Sequence, residues 1–101
     1  MSRYVLAFRG DPSRDAAPDA EAAWGAWFAE LGPTIVDVGT RVGQVQRLAA
    51  EQRGDGAEEV LTGYLVVEAT DIDDAVTLAR GCPGLKSGVS VEVAETVPMG
   101  G

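Results

Sequence analysis

Histidine is absent from this chain of 101 residues, and that absence excludes more chemistry than any residue present establishes. Without an imidazole there is no Ser-His-Asp or Cys-His catalytic site, and no histidine-based zinc site. Any acid–base chemistry must use carboxylates, tyrosine, lysine or the single cysteine, Cys82. The sequence also lacks a phosphate-binding loop and a complete calcium loop, so we expect neither a metal nor a cofactor.

Cysteine, positive charge and long apolar runs are also scarce. A lone cysteine cannot form an internal disulfide, which fits a reducing cytosol. The 8 Lys and Arg against 16 Asp and Glu argue against nucleic acid or an anionic membrane as a partner. No run approaches the roughly 18 apolar residues of a membrane span, and residues 1–10 are too quickly charged for a signal peptide. We therefore expect one soluble, cytoplasmic domain over residues 1–101.

Two segments alternate as β-strands do and are apolar on both faces. They are Arg3–Arg9 and Tyr64–Ala69. Because strands of this kind are usually buried on both sides, we expect both to be central strands. Two further extended segments, Thr34–Leu48 and Val89–Val93, are predicted to supply the outer strands. Ala49–Val60 is predicted to be the turn of a long hairpin or a mobile loop.

Two helices are predicted between these strands. Asp19–Leu31 has an apolar face and is followed by a Gly-Pro stop signal. The second helix follows Asp71, which is placed to cap it, and Gly81 ends it. The resulting order is strand, helix, strand, strand, helix, strand. That order indicates an α+β, ferredoxin-like βαββαβ fold with a four-stranded antiparallel sheet.

Two helices can cover only one face of such a sheet. The other face is expected to expose an apolar patch in a monomer, and a patch of that size predicts a partner. The simplest partner is a second copy, packed sheet to sheet about a two-fold axis. The residues predicted to form this open face are Tyr4, Leu6, Phe8, Tyr64 and Val66.

Three stretches, taken in order, resemble the YCII-related family in its DGPF-domain branch. They are RYVLAFRG (residues 3–10), AAWGAWFAELGPTIVDVG (residues 22–39) and TGYLVVEATDIDDAVTLARGCPGLKSGVSVEV (residues 62–93). The resemblance implies a ferredoxin-like fold with two helices on one face of the sheet, assembled as a dimeric α+β barrel. The family is similar to muconolactone isomerase-like proteins, and some relatives carry out lyase or dehalogenation chemistry on small aromatic compounds.

In the branch that resembles enzymes, a histidine on the first helix pairs with an aspartate at the start of the second strand. Asp37 matches that aspartate by position. Trp24 and Trp27 stand where the histidine would be. The resemblance therefore implies that the histidine–aspartate pair is missing and that only its acidic half remains.

Asp37 is the candidate catalytic residue. It interrupts the apolar run Ile35–Val38, where an inward-facing carboxylate would be costly unless paired, and such a group could act as a general base. The alternative is that Asp37 accepts backbone or arginine hydrogen bonds near a bend.

The candidate ligand-pocket residues are two tryptophans and two polar residues of the third strand. Trp24 and Trp27 could line an aromatic-binding pocket, or they could pack in the core. Tyr64 could donate a hydrogen bond to a ligand, or it could lie in a dimer interface. Glu68 shares a strand face with Tyr64 and could act with Asp37, or it could stay solvated.

Two functions of different classes follow. The first is a homodimeric small-molecule-binding or accessory module without the histidine–aspartate pair, with a small organic molecule as its ligand. The second is a small-molecule lyase or isomerase, resembling a dehydrochlorinase or a muconolactone isomerase, with Asp37 as the base and Tyr64 assisting. The missing histidine favours the first function.

Overall fold

The computed structural model describes residues 1–11, 19–46, 48 and 60–98. The predicted turn or loop before Val60 lies outside these residues. The described elements, in chain order, are β1 (Ser2–Gly10), α1 (Ala20–Leu31), a 3-10 turn (Gly32–Thr34), β2 (Ile35–Arg41), β3 (Val60–Ala69), α2 (Ile72–Ala79), a second 3-10 turn (Pro83–Ser87) and β4 (Ser90–Glu95).

The four described strands form one antiparallel sheet in the order β2-β3-β1-β4. This order and the succession of elements are those of the α+β ferredoxin-like fold, and the prediction of the fold class is confirmed. β1 and β3 are the central strands, as expected. Among the described residues the second strand is shorter than predicted, since β2 ends at Arg41 and is followed by one bond from the Val42 N–H to the Thr62 carbonyl, at 3.0 Å.

The core lies between the sheet and the two helices. β1 contributes Tyr4, Leu6 and Phe8, which are 2%, 0% and 5% exposed. The strand register places Tyr4 opposite Val67 and Leu6 opposite Leu65, and both β3 residues are fully buried. The prediction that the three β1 residues lie on the open face was therefore wrong, because they face the helices.

The open face carries the other set of β1 residues. Val5 lies opposite Val66 and Ala7 lies opposite Tyr64 in the register of the two central strands. All four side chains are partly exposed, since the described helices cover only the opposite face. Tyr64 and Val66 are thus on the predicted face, and Val5 and Ala7 take the places expected for the larger β1 residues.

α2 begins where the sequence predicts it. The Oδ1 atom of Asp71 accepts a hydrogen bond from the Asp74 N–H at 2.8 Å. In return, Oδ2 of Asp74 accepts from the Thr70 N–H at 3.0 Å. These reciprocal bonds satisfy backbone donors at the start of the helix, so the acidic residues of this segment act as helix caps.

β2 is irregular at Gly39. Its pairing with β3 shifts register between Asp37 and Thr40. Gly39 has a φ of +66°, and a Cβ atom at this position would collide with the carbonyl oxygen of Tyr64. The bulge therefore requires glycine for two separate reasons.

We expect Gly39→Ala to lower the free energy of unfolding by about 2 kcal/mol or more, since it adds both backbone strain and a collision. Gly25→Ala is the matched control, because Gly25 is exposed in α1 and a Cβ there meets nothing within 4 Å. That control is expected to raise the stability by about 0.5–1 kcal/mol. Urea unfolding followed by tryptophan fluorescence measures the stability of both variants. A Gly39→Ala variant as stable as the wild type would contradict the claim that the bulge requires glycine.

Candidate functional site

Asp37 is exposed and lies in the β2 bulge, opposite Val66 in register. Its Oδ1 atom accepts a hydrogen bond from the Gly39 N–H at 2.8 Å. An aspartate that binds the backbone two residues ahead is a local turn-forming arrangement. The inward-facing arrangement considered for Asp37 is not found, because a register shift between Ile35 and Asp37 places the aspartate on the open face, exposed to solvent. The alternative role, an acceptor at a bend, is the one that this geometry shows.

Tyr64 and Glu68 lie on the open face with Asp37. Register places Thr40 opposite Tyr64, so the β2 bulge borders the tyrosine. Glu68 forms an ion pair with Arg3 across the sheet, with Oε2 and Nε 3.8 Å apart. Because both side chains are largely exposed, this pair is worth at most about 1 kcal/mol. One surface thus carries Asp37, Tyr64 and Glu68.

Trp24 and Trp27 lie on the helix side of the sheet. The Trp27 side chain is 4% exposed, and its Nε1–H donates to the Leu78 carbonyl at 3.3 Å. The Phe8 ring lies edge-on to Trp24 and to Trp27, with centroids 5.1 Å and 6.0 Å away. Edge-to-face packing of this kind is typical of an aromatic core. In the described structure both tryptophans act as core residues.

The sheet therefore separates the candidate residues into two groups. Trp24 and Trp27 are on one side, and Asp37, Tyr64 and Glu68 are on the other. Within the described part of one chain, these five side chains do not meet in a common cleft. The single cleft expected from the sequence needs correction, because the tryptophans pack under the helices while the polar residues project from the opposite sheet face.

Charged residues at both ends of β1 were not among the predicted site residues. Arg3 pairs with Glu68 at one end, and Arg9 lies near Glu92 at the other, with Nε and Oε1 3.4 Å apart. The Arg9 Nε atom is shielded from solvent and forms no hydrogen bond within the described structure. The open face thus has an apolar centre with an arginine at each end.

Cys82 lies away from this face and is buried. Burial raises the pKa of its thiol, and hydrogen bonds with the backbone at Gly84 and Leu85 only partly oppose that effect. A thiol that stays protonated is a poor nucleophile. Cys82 is therefore a structural residue of the described core.

No group of three or more His, Cys, Asp or Glu side chains is placed to hold a metal ion within residues 1–11, 19–46, 48 and 60–98. Over those ranges, no helix has the length and apolar character needed to cross a bilayer.

The fold and its divided surface define an α+β ferredoxin-like protein, and the helices of the described residues cover one face of its sheet. The sequence model of the YCII-related domain matches residues 47–97, half of the chain. The chain belongs to the YCII-related family. None of the curated proteins matches it. The matched stretch includes Tyr64 and Glu68. It begins after Trp24, Trp27 and Asp37, so the family match alone assigns no role to those three.

The hydrogen bond to Gly39 makes a specific prediction about Asp37. Asp37→Ala removes the acceptor and is expected to lower the free energy of unfolding by about 1 kcal/mol. Asp37→Asn keeps an oxygen acceptor at the same place and is expected to stay close to the wild type. Urea unfolding measures both variants. Equal losses in the two variants would show that the charge, not the hydrogen bond, is what stabilises the bulge.

Proposed function

We propose that this YCII-related protein is a small-molecule-binding or accessory module, and that it works as a homodimer joined through the open sheet face. The observation that carries the proposal is the face of the two central strands that no helix covers in the described part of the chain. Its centre consists of Val5, Ala7, Tyr64 and Val66, all partly exposed. Apolar side chains grouped on one surface are characteristic of a protein–protein contact.

A second copy of the chain is the simplest cover for this face. The same patch on both partners can pack on itself about a two-fold axis. Burying apolar area contributes about 25 cal/mol for each Å² removed from water. The arginines near each end of β1, with their glutamate neighbours, would lie at the rim of such a contact, where charge favours register and orientation.

The enzymatic alternative draws less support. Its base would be Asp37, which is exposed and accepts a hydrogen bond from the Gly39 N–H through one carboxylate oxygen. The chain has no histidine to complete a pair with this aspartate. The Tyr64 hydroxyl, in contrast, makes no hydrogen bond to other described residues and suits a ligand donor at the edge of the contact. We also propose that the protein works in the cytoplasm, since a lone thiol fits a reducing compartment.

Light scattering of the purified protein tests the dimer. We expect wild-type protein at micromolar concentration to have twice the chain mass of 10.5 kDa. Val66→Lys places a charge at the centre of the open face and is expected to weaken the dimer by about 100-fold or more. Val97→Lys is the matched control, since Val97 is 73% exposed beyond β4, and it should remain a dimer.

Circular dichroism of each variant confirms that it is folded. A wild-type protein of monomer mass would contradict the proposed assembly. A folded Val66→Lys variant that stays dimeric would show that the copies meet through another surface.

A thermal-shift screen against a metabolite library tests the binding role. We expect small organic ligands to raise the melting temperature of wild-type protein and of Asp37→Asn alike, and to be recovered chemically unchanged. Chromatography of each hit after incubation measures that recovery. Conversion of a hit by the wild type, abolished in Asp37→Asn, would overturn the binding role and establish the lyase or isomerase instead.

A further inference from the structure

A groove lies on the helix side of the sheet, between α2 and the edge strand β4. Register places Val91 opposite Phe8 and Val93 opposite Leu6, so both valines face the helices. Leu85, in the second 3-10 turn, also lines the groove and is 46% exposed. The lining residues are Val76, Ala79, Arg80, Leu85, Val91 and Val93.

Arg80 is the charged residue of this lining. Among the described ion pairs, Arg3 and Arg9 have glutamate partners, whereas Arg80 has none. The stretch from Arg80 to Val91 contains Lys86 and no acidic residue, although the chain as a whole has a net charge of −8. Arg80 lies at the C-terminal end of α2. The helix dipole places roughly half a negative charge there, which offsets only part of the positive charge of the guanidinium. An apolar groove in this acidic protein therefore has on its wall a cation without an acidic partner among the described residues.

We infer that this groove binds a small monocarboxylate with an apolar body. The body would lie along Val76, Val91 and Val93, where its burial supplies most of the affinity. The carboxylate would pair with the Arg80 guanidinium, whose planar fork matches two carboxylate oxygens. The inference rests on the small-molecule-binding role proposed above and gives that role a site and a ligand class.

The groove and the proposed dimer contact are on opposite sides of the sheet. Ligand binding in the groove therefore does not require the dimer. An experiment can disprove either the dimer contact or the groove site without disproving the other. Because the groove is open, part of the ligand stays in water. We expect a dissociation constant of about 0.1–1 mM for a simple monocarboxylate.

Two-dimensional amide NMR of the full chain, titrated with octanoate, tests the inference. We expect concentration-dependent shifts at the amides of Val76, Arg80, Leu85 and Val93. Octanamide has a tail of the same length without the charge, and it is expected to bind about fivefold more weakly or worse. Acetate has the charge without the tail and should produce no saturable shift below about 10 mM.

Variants separate the charge from the apolar wall. Arg80→Gln is expected to weaken octanoate binding about fivefold and to bring it to the level of octanamide. Arg41→Gln is the matched control, because Arg41 is an exposed arginine of β2 outside the groove, and it should bind as the wild type does. Leu85→Gln is expected to weaken octanoate and octanamide alike. The amide spectrum of each variant reports whether it is folded.

Unchanged groove amides at about 10 mM octanoate would overturn the inference, and so would an Arg80→Gln variant that binds octanoate as tightly as the wild type. Shifts gathered around Asp37 and Tyr64 instead would overturn the groove but support the small-molecule-binding role on the other face. A monomeric protein that still binds octanoate in the groove would overturn the dimer and leave this inference standing.

Discussion

Leu6, Leu65 and Val67 are the three side chains on which the rest of the described structure depends. All are fully buried between the central strands and the helices, and burying a side chain of this size contributes about 1.5–3 kcal/mol. Since successive residues of a strand point to opposite faces, burying these three determines which residues point away. Val5 and Val66 are thereby directed to the open face, and a register slip of one residue would exchange the two sets.

This constraint also divides the functional questions. Asp37, Tyr64 and Glu68 project from the open face, where a second copy of the chain is the proposed cover. The tryptophans of α1 pack with Phe8 on the other side. A ligand on the helix side would meet the groove beside Arg80 instead of the aspartate. The two surfaces can therefore be studied by separate substitutions, with little risk that one disturbs the other.

Much of the fold could be predicted from the sequence, because the signals involved are local. Asp71 and Asp74 are placed to cap α2, and they do so. It was harder to predict which face of β1 points into the core, since Tyr4, Leu6, Phe8 and the residues between them are all apolar. The sequence does contain one signal that separates the two faces. Arg3 and Arg9 alternate in step with Val5, and charged residues at both ends of a strand favour the face nearer to solvent.

The candidate site was less predictable for the same physical reason. Nothing in the sequence pattern indicates that the pairing of β2 with β3 shifts between Ile35 and Asp37, and this shift is what places Asp37 on the open face. An extra residue in a strand changes which face the following side chains take. Likewise, the spacing of Trp24 and Trp27 fits a core and a pocket equally well. Only the packing of their rings against Phe8 assigns them to the core.

In the proposed dimer, the open face of one copy meets the open face of the other. Nuclear Overhauser spectroscopy on a mixture of isotope-labelled and unlabelled chains tests this most directly, because it detects only contacts between copies. We expect contacts between the Val66 methyl groups of one copy and the Val5 or Tyr64 side chain of the other. Contacts confined to other surfaces, or none at all together with the diffusion rate of a monomer, would contradict it.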